Sequence, residues 1–132
     1  MAQKPTSKHL VVGVDLDGML LAFMPFFKVF FACLQAGGNK VGILTARPEH
    51  DKEENLAQLK DLGITPDFYV GKPDDTNLPD GVFKAAVCTK LGIDLLFDDF
   101  ESSNPQMLGD FFATNATTVP FTSWAYDPKG GE

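Results

Sequence analysis

The chain has few of the residues that mark several common classes of protein. It contains two cysteines, Cys33 and Cys88, among 132 residues, which is too few for a disulfide framework or a cysteine-rich zinc site. Both lie in apolar stretches, so we expect reduced core residues and a cytoplasmic protein. Its 11 basic residues against 18 acidic ones give a formal net charge of -7. This deficit of positive charge argues against bulk nucleic-acid binding.

The chain also lacks a hydrophobic run long enough to cross a membrane. Its most apolar stretch, residues 19–34, is interrupted by Pro25 and Lys28 and falls short of the roughly 20 residues that a spanning helix needs. Acidic rather than basic residues precede the stretch, which is atypical of a signal peptide. We therefore expect no membrane association.

Short apolar runs alternate with amphipathic stretches along the chain. The length favours one domain, residues 1–132, with flexible polar tails at 1–8 and 127–132. Apolar strands without alternation are typical of a parallel sheet covered by helices on both faces, so we expect an α/β fold. The pattern predicts five strands, at residues 9–14, 41–44, 68–70, 93–97 and 117–121, and helices at 25–36, 48–62, 80–91 and 103–114.

The helix predicted at residues 25–36 is apolar on two sides. One side carries Phe26, Val29, Phe30 and Cys33, and the nearly opposite side carries Phe27, Phe31 and Leu34. A helix of this kind is expected to be buried twice, once in the core and once in an interface. This pattern favours a homo-oligomer.

Polar clusters follow three of the predicted strands. Carboxyl ends of parallel strands share one edge of a sheet, where ligands bind in such folds. Carboxylates ~4 Å apart repel by roughly 4 kcal/mol at an effective dielectric near 20, so they would protonate, separate or take up a cation. Oxygen ligands suit Mg²⁺. The clusters are Asp15-Leu16-Asp17-Gly18, Thr45-Ala46-Arg47 and Asp98-Asp99, and the predicted Mg²⁺ ligands are Asp15, Asp17, Asp98 and Asp99.

These groups also permit phosphoryl transfer. A carboxylate beside Mg²⁺ can attack a phosphate and form an aspartyl-phosphate intermediate. A neighbouring carboxylate can then protonate the leaving alcohol and later activate water. A threonine hydroxyl, turn amides and a lysine can neutralise the phosphoryl oxygens.

Four of these elements together resemble the motifs of the haloacid dehalogenase (HAD)-like phosphohydrolases. Asp15-Leu16-Asp17-Gly18, which follows VVGV, resembles the first motif, and Thr45, which follows VGIL, resembles the second. Lys84 is similar to the third-motif lysine, and LLF followed by Asp98-Asp99 is similar to the fourth motif. The resemblance implies a Mg²⁺-dependent hydrolase of phosphomonoesters, with a three-layer Rossmann-like fold and a five-stranded parallel sheet in the order 3-2-1-4-5.

The resemblance also implies roles for individual residues. Asp15 would be the nucleophile and a metal ligand, and Asp17 the acid/base that also gives a backbone carbonyl to the metal. Asp98 would complete the metal site, with Asp99 acting directly or through water. The phosphoryl group would be held by Thr45, the Ala46 amide and Lys84.

Some assignments have alternatives. Arg47 could reach a phosphate or a substrate carboxylate, or form a surface ion pair with Glu49 or Asp51. Lys72, in Gly71-Lys72-Pro73, competes with Lys84 for the lysine role. Thr45 could be an N-cap of the following helix.

The intervals between the motifs leave no room for a cap domain. Residues 17–45 and 45–84 are each largely used by a helix and a strand, so the site should be open or closed by another subunit. An open site suits a phosphate group on a bulky substrate, such as a polymer end, whereas a site closed by another subunit can still select a small molecule.

Two further function classes remain open. A receiver-like domain, which accepts or senses phosphate without turnover, also has clustered acids, a threonine and a lysine. The receiver pattern places paired acids early in the chain, then a lone aspartate, then a threonine and then a lysine. Here Thr45 precedes Lys84, and the acid pair comes last. An inactive HAD-like protein is the other option, because Met19 follows the first-motif glycine where the family usually has Thr or Val.

Overall fold

The computed structural model describes residues 9–98 and 119–121 and has an α/β fold. The strands are β1 (Val11–Val14), β2 (Lys40–Pro48), β3 (Tyr69–Lys72), β4 (Leu95–Phe97) and β5 (Val119–Phe121). The helices are α1 (Met24–Ala36), α2 (Lys52–Asp61) and α3 (Asp80–Leu91), with a π-helical turn at Leu16–Leu20 and a 3₁₀ turn at Glu49–Asp51. The helix predicted at residues 103–114 lies outside the described residues.

Four strands form a parallel sheet in the order β3-β2-β1-β4. β1 is central, with Val12 opposite Val41 on one side and Leu95 on the other. The short β5 lies parallel to β4, with Val119 opposite Leu95, and its connection to β4 lies outside the described residues. The parallel α/β class is therefore confirmed, while the complete five-stranded arrangement stays a prediction.

Helices cover both faces of this sheet. On one face Phe27 and Phe31 of α1 and Leu59 of α2 pack with alternate residues of β1 and β2. On the other face Phe83 and Cys88 of α3 pack with residues of β2 and β4. Two-sided burial explains why the strands are apolar without alternation.

The prediction that α1 is buried on both sides is only half right in the monomer. Phe27 and Phe31 are buried, whereas Phe26 and Val29 are 55% and 61% exposed. Cys33 is also exposed, so the prediction of two core cysteines is wrong for Cys33, and it is right for the buried Cys88. None of the described helices is long and apolar enough to cross a membrane.

β2 is longer than predicted, and the helix after it begins later. The strand continues through Thr45, Ala46 and Arg47 to Pro48, which lies opposite Lys72 after a register shift. Gly71 permits this close pairing, because a Cβ there would lie 3.1 Å from the Arg47 carbonyl oxygen. α2 then starts at Lys52 rather than at residue 48. The sequence pattern missed this because Pro is common both at helix starts and in extended chain.

Candidate active site

Two aspartates follow the central strands β1 and β4 at the same edge of the sheet. The Asp15 amide donates a hydrogen bond of 2.9 Å to the Phe97 carbonyl, which extends the pairing of the two strands by one residue. Asp98 comes directly after Phe97. Asp15 is 5% exposed and Asp98 is fully buried. The predicted convergence of these two aspartates at one edge is therefore present.

Lys84 of α3 joins the two aspartates. Its Nζ donates to Asp15 Oδ1 at 3.1 Å and to Asp98 Oδ2 at 2.6 Å. Because both oxygens lie within hydrogen-bond distance of one nitrogen, the two carboxylates are close neighbours. We call Asp15, Lys84 and Asp98 the interior trio.

The charge state of Lys84 follows from two opposing effects. Burial alone would lower the pKa of Lys84, but the charges of Asp98 and Asp15 and their hydrogen bonds raise this pKa well above its usual value. Lys84 is therefore a permanent cation at neutral pH. The alternative lysine, Lys72, instead donates to Asp80 Oδ1 at 2.6 Å, so the structure brings Lys84 into the trio and pairs Lys72 elsewhere.

Asp17 points to a different partner. It lies in the π-helical turn, where Gly18 has φ of 77°, a backbone conformation that glycine adopts without strain. Its carboxylate accepts two hydrogen bonds from Arg47, from Nε at 3.0 Å and from Nη2 at 2.7 Å. These bonds lower the pKa of Asp17 and outweigh its partial burial, which alone would raise this pKa. Arg47 thus pairs with Asp17 rather than with Glu49 or Asp51.

Arg47 is held from behind by a buried polar chain. Arg47 Nη1 donates to Asn55 Oδ1 at 2.8 Å, and Asn55 Nδ2 donates to the Tyr69 hydroxyl at 2.7 Å. Asn55 is 5% exposed, so its hydrogen-bonding groups depend on protein partners. We call Asp17, Arg47, Asn55 and Tyr69 the rim network.

Sequence reasoning missed Asn55 and Tyr69. Asn55 stands four residues before the buried Leu59, and a polar residue on the apolar side of a helix is a usable signal of a buried hydrogen-bond network. Tyr69 carried no comparable signal, because a tyrosine in a strand is most simply read as a packing residue.

Thr45 and Ala46 lie within β2, near its carboxyl end. Thr45 is fully buried, and its hydroxyl accepts a hydrogen bond of 3.1 Å from the Arg47 amide. Because Thr45 is inside a strand that runs on to Pro48, the alternative of a helix N-cap is wrong.

The predicted cluster of four carboxylates is not assembled among the described residues. Within residues 9–98 no group of three or more His, Cys, Asp or Glu side chains is arranged to hold a metal ion, because Asp17 is turned to Arg47. Asp99 lies outside the described residues. The donor set still fits a hard cation, since Asp15 and Asp98 provide carboxylate oxygens and the interior trio has a formal charge of -1.

Comparisons with known proteins add no family to these observations. Neither a protein-family model, nor a curated protein, nor a solved structure matches the chain. The case for a function therefore depends on the geometry above and on the motif resemblance. Chemically, the arrangement offers a buried carboxylate, Asp15, that contacts a cation, and a more exposed carboxylate, Asp17, two residues further along the chain.

Proposed function

We propose that the chain is a HAD-like phosphatase that hydrolyses a phosphomonoester with Mg²⁺, through an aspartyl-phosphate on Asp15. The observation that carries this proposal is the convergence of Asp15 and Asp98 on Lys84 Nζ. A nucleophilic carboxylate needs a fixed orientation and a nearby cation to stabilise the phosphoryl oxygens. The interior trio has both features.

The proposal assigns the metal to residues at the carboxyl ends of β1 and β4. Asp15 and Asp98 side chains, the Asp17 carbonyl and Asp99 would hold Mg²⁺. Bound there, Mg²⁺ would neutralise phosphoryl oxygens and orient the substrate. Lys84 would remain as the second cation, paired with the same two carboxylates.

The remaining roles fall to Asp17 and to residues at the carboxyl end of β2. Thr45, the Ala46 amide and Arg47 would bind the phosphoryl group, and Asp17 would be the acid/base. Asp17 can protonate a leaving group only after it separates from Arg47, because the pairing lowers its pKa. A phosphoryl group that binds Arg47 would compete with Asp17 for the guanidinium and so favour this separation.

The second candidate is a Mg²⁺ and phosphate-binding module without turnover, either receiver-like or an inactive HAD-like protein. The bidentate pairing of Asp17 with Arg47 is the observation that favours it, because a carboxylate held in this way is a poor general acid. Met19 after the first motif points the same way. The order of the motifs favours the phosphatase over a receiver domain.

The proposal also covers the finer architecture and setting. We propose a three-layer Rossmann-like domain without a cap, with five parallel strands in the order 3-2-1-4-5, in a cytoplasmic protein. The pairing of Val119–Phe121 with β4 supports the fifth strand. The substrate would be a phosphorylated small molecule or polymer end, and the chain would form a homo-oligomer.

The test is phosphate release from p-nitrophenyl phosphate with Mg²⁺ and with EDTA. We expect metal-dependent turnover that Asp15→Asn lowers by at least about 10⁴-fold, as expected for loss of a nucleophile, with folding retained by circular dichroism. Asp61→Asn is the matched control, because Asp61 is an exposed aspartate at the end of α2, and its turnover should equal that of wild type.

The outcomes separate the candidates. Turnover that survives Asp15→Asn would remove the nucleophile assignment. Mg²⁺ binding without turnover on p-nitrophenyl phosphate and on a panel of phosphorylated metabolites would favour the non-catalytic module. If turnover is present, the same panel identifies the substrate class.

A further inference from the structure

Arg47 presents the two edges of its guanidinium group to different surroundings. Nε and Nη2 face outward to Asp17, at 3.0 Å and 2.7 Å from its carboxylate oxygens. Nη1 faces inward to Asn55 Oδ1 at 2.8 Å. The Asp17 side chain is 62% exposed, whereas Asn55 is 5% exposed. The inward edge is therefore held by the protein, and the outward edge is open to exchange with a solute.

The amide of Asn55 has one orientation that satisfies its neighbours. Arg47 can only donate hydrogen bonds, so the Asn55 carbonyl oxygen has to face it. The NH₂ group is left to donate to the Tyr69 hydroxyl at 2.7 Å, and a reversed amide would place two donors against each other. Tyr69 lies on β3 and is 9% exposed. The direction of the guanidinium is therefore set by a chain of buried groups that ends on the sheet.

The backbone of Arg47 is fixed as well. Its amide donates to Thr45 Oγ1 at 3.1 Å, and the residue lies in β2, which runs on to pair Pro48 with Lys72 of β3. A long arginine side chain normally loses much rotamer freedom when it binds a ligand. Here the strand and Asn55 remove much of that freedom before a ligand binds.

The outward edge has the geometry of an anion-binding site. The parallel N–H groups of Nε and Nη2 match two oxygens of a carboxylate or a phosphate, and the Asp17 carboxylate occupies the position of such an anion. This edge also lies near the interior trio, since the charge of Asp15 adds to the hydrogen bond with Asp17 in raising the pKa of Arg47. An anion that displaced Asp17 would therefore bind within electrostatic reach of the proposed nucleophile.

We propose that Asn55 and Tyr69 are positioning residues that orient Arg47 to bind the phosphoryl group of the substrate. Neither side chain would touch the substrate, because both act through the guanidinium. The inference rests on the proposed function for the identity of the anion. It goes further by assigning part of the substrate affinity to two residues that none of the motifs includes.

The expected effect is on affinity rather than on the chemical step. Without Asn55 the guanidinium would have to be ordered each time an anion binds, and ordering one long side chain weakens binding by about three- to tenfold. Asn55→Leu should raise the dissociation constant of phosphate by this factor. Tyr69→Phe, which leaves Asn55 in place, should have a smaller effect in the same direction. Asp15 and Asp17, which the proposal gives to the chemical step, are unchanged in both variants.

The first test is isothermal titration calorimetry of the full chain with inorganic phosphate in a Mg²⁺ buffer. We expect wild type to bind most tightly, Tyr69→Phe less tightly and Asn55→Leu least tightly. Gln58→Leu is the matched control, because Gln58 is exposed on the same helix as Asn55, and its affinity should equal that of wild type. Circular dichroism checks that each variant folds. Tyr69→Phe removes a single oxygen atom, so it keeps the test decisive if Asn55→Leu does not fold.

The second test separates positioning from a loss of stability. In an Arg47→Ala background, Asn55→Leu should weaken phosphate binding no further, because the residue through which it acts is absent. Two independent structural defects would instead combine additively in free energy. In steady-state assays with p-nitrophenyl phosphate, Asn55→Leu should raise KM by about three- to tenfold and leave kcat within about twofold, which is the signature of lost substrate binding.

The outcomes distinguish this inference from the proposed function. Phosphate binding that follows the expected order without turnover would retain the positioning roles and contradict the phosphatase. Turnover with wild-type phosphate affinity in both Asn55→Leu and Tyr69→Phe would retain the phosphatase and overturn the positioning roles. An Asn55→Leu effect that persists in the Arg47→Ala background would overturn them too. A wild-type chain that binds no phosphate would contradict both proposals.

Discussion

The interior trio and the rim network are two charged groups at one edge of the same sheet, and they differ in their access to water. In the trio the side chains of Asp15, Lys84 and Asp98 are 8%, 4% and 1% exposed. In the rim network those of Arg47 and Asp17 are 29% and 62% exposed. Both groups pair carboxylates with a cation at hydrogen-bond distance.

This difference in exposure separates fixed from adjustable chemistry. A buried carboxylate that loses its cation leaves an uncompensated charge in a medium of low dielectric. An exposed pair is screened by water and contributes little to stability. The trio is therefore expected to hold one arrangement, whereas Asp17 can exchange Arg47 for water or substrate at small cost. The proposed nucleophile belongs to the rigid group and the proposed acid/base to the adjustable one.

The largest expected effect comes from removing the cation of the trio. Lys84→Met keeps most of the aliphatic side chain but leaves Asp15 and Asp98 without the ammonium. We expect a loss of about 3–5 kcal/mol in the free energy of unfolding, the range for breaking a buried pair from one side. Urea denaturation at neutral pH in a metal-free buffer measures it.

A matched control isolates the burial of Lys84. Lys90 lies on the same helix but is exposed, so Lys90→Met should change stability by no more than about 0.5 kcal/mol. Equal losses in the two variants would mean that the trio is no more costly to break than a surface charge, and the comparison between the two groups would fail.

The fold and the trio could be anticipated because both follow from backbone-level rules. Apolar strands without alternation indicate a two-sided parallel sheet, and parallel strands bring their carboxyl ends together. These rules were enough to expect Asp15 and Asp98 as neighbours. The choice of Lys84 over Lys72 came from the motif resemblance, because the 14 residues between Lys84 and Asp98 fit the small members of the family better than the 26 residues between Lys72 and Asp98.

The rim could not be anticipated because it depends on side-chain direction. The strand-end rule places Asp17 at the correct edge, but the local turn at Gly18 and the reach of Arg47 decide where its carboxylate points. Because β2 extends to Pro48, Arg47 lies in a strand rather than in the predicted loop, and its side chain contacts Asp17 and Asn55. Periodicity does not reveal this change, because Pro48 is compatible with either a strand end or a helix start.

A bound metal would sharpen the contrast by adding a cation to the trio. If Mg²⁺ binds there, free Mg²⁺ at 100 times its dissociation constant should raise the free energy of unfolding of wild type by about 2.7 kcal/mol. The increase is measured by urea denaturation against NaCl at matched ionic strength.

Asp98→Asn should remove this increase, and Asp61→Asn should retain it. Each variant is compared with itself in the absence of Mg²⁺, so the cost of the substitution in the trio does not enter. No increase in wild type, or the same increase in Asp98→Asn, would contradict the assigned metal ligands.

A smaller loss in the free energy of unfolding is expected at Asn55, which supports Arg47 in the rim network. Asn55→Leu keeps the number and branching of the side-chain heavy atoms but leaves Arg47 Nη1 and the Tyr69 hydroxyl without the Asn55 amide, at an expected cost of about 1–3 kcal/mol. Gln58→Leu, an exposed position on the same helix, should stay within about 0.5 kcal/mol of wild type. A loss as large as that of Lys84→Met would mean that the rim network is as rigid as the trio.

The smallest effect is expected at His50, the most exposed charged contact near the rim. Its Nδ1 lies 2.8 Å from Asp74 Oδ1, and its Nε2 lies 3.5 Å from Asp51 Oδ1. The contact with Asp74, and then the charges of Asp74 and Asp51, raise the pKa of His50 above its ordinary value of 6.5. A raised folded-state pKa means that the added stability is complete below pH 6.5 and is lost as the pH rises through the folded-state pKa.

An NMR titration of the His50 ring protons measures this directly. We expect Asp74→Asn to lower the pKa of His50, whereas Asp75→Asn, which removes the neighbouring exposed charge, should lower it less. Because the His50 side chain is exposed to screening by solvent, added salt should shrink the difference between the two variants. A difference that salt leaves unchanged would show that this contact is shielded from water and belongs with the trio rather than with the rim.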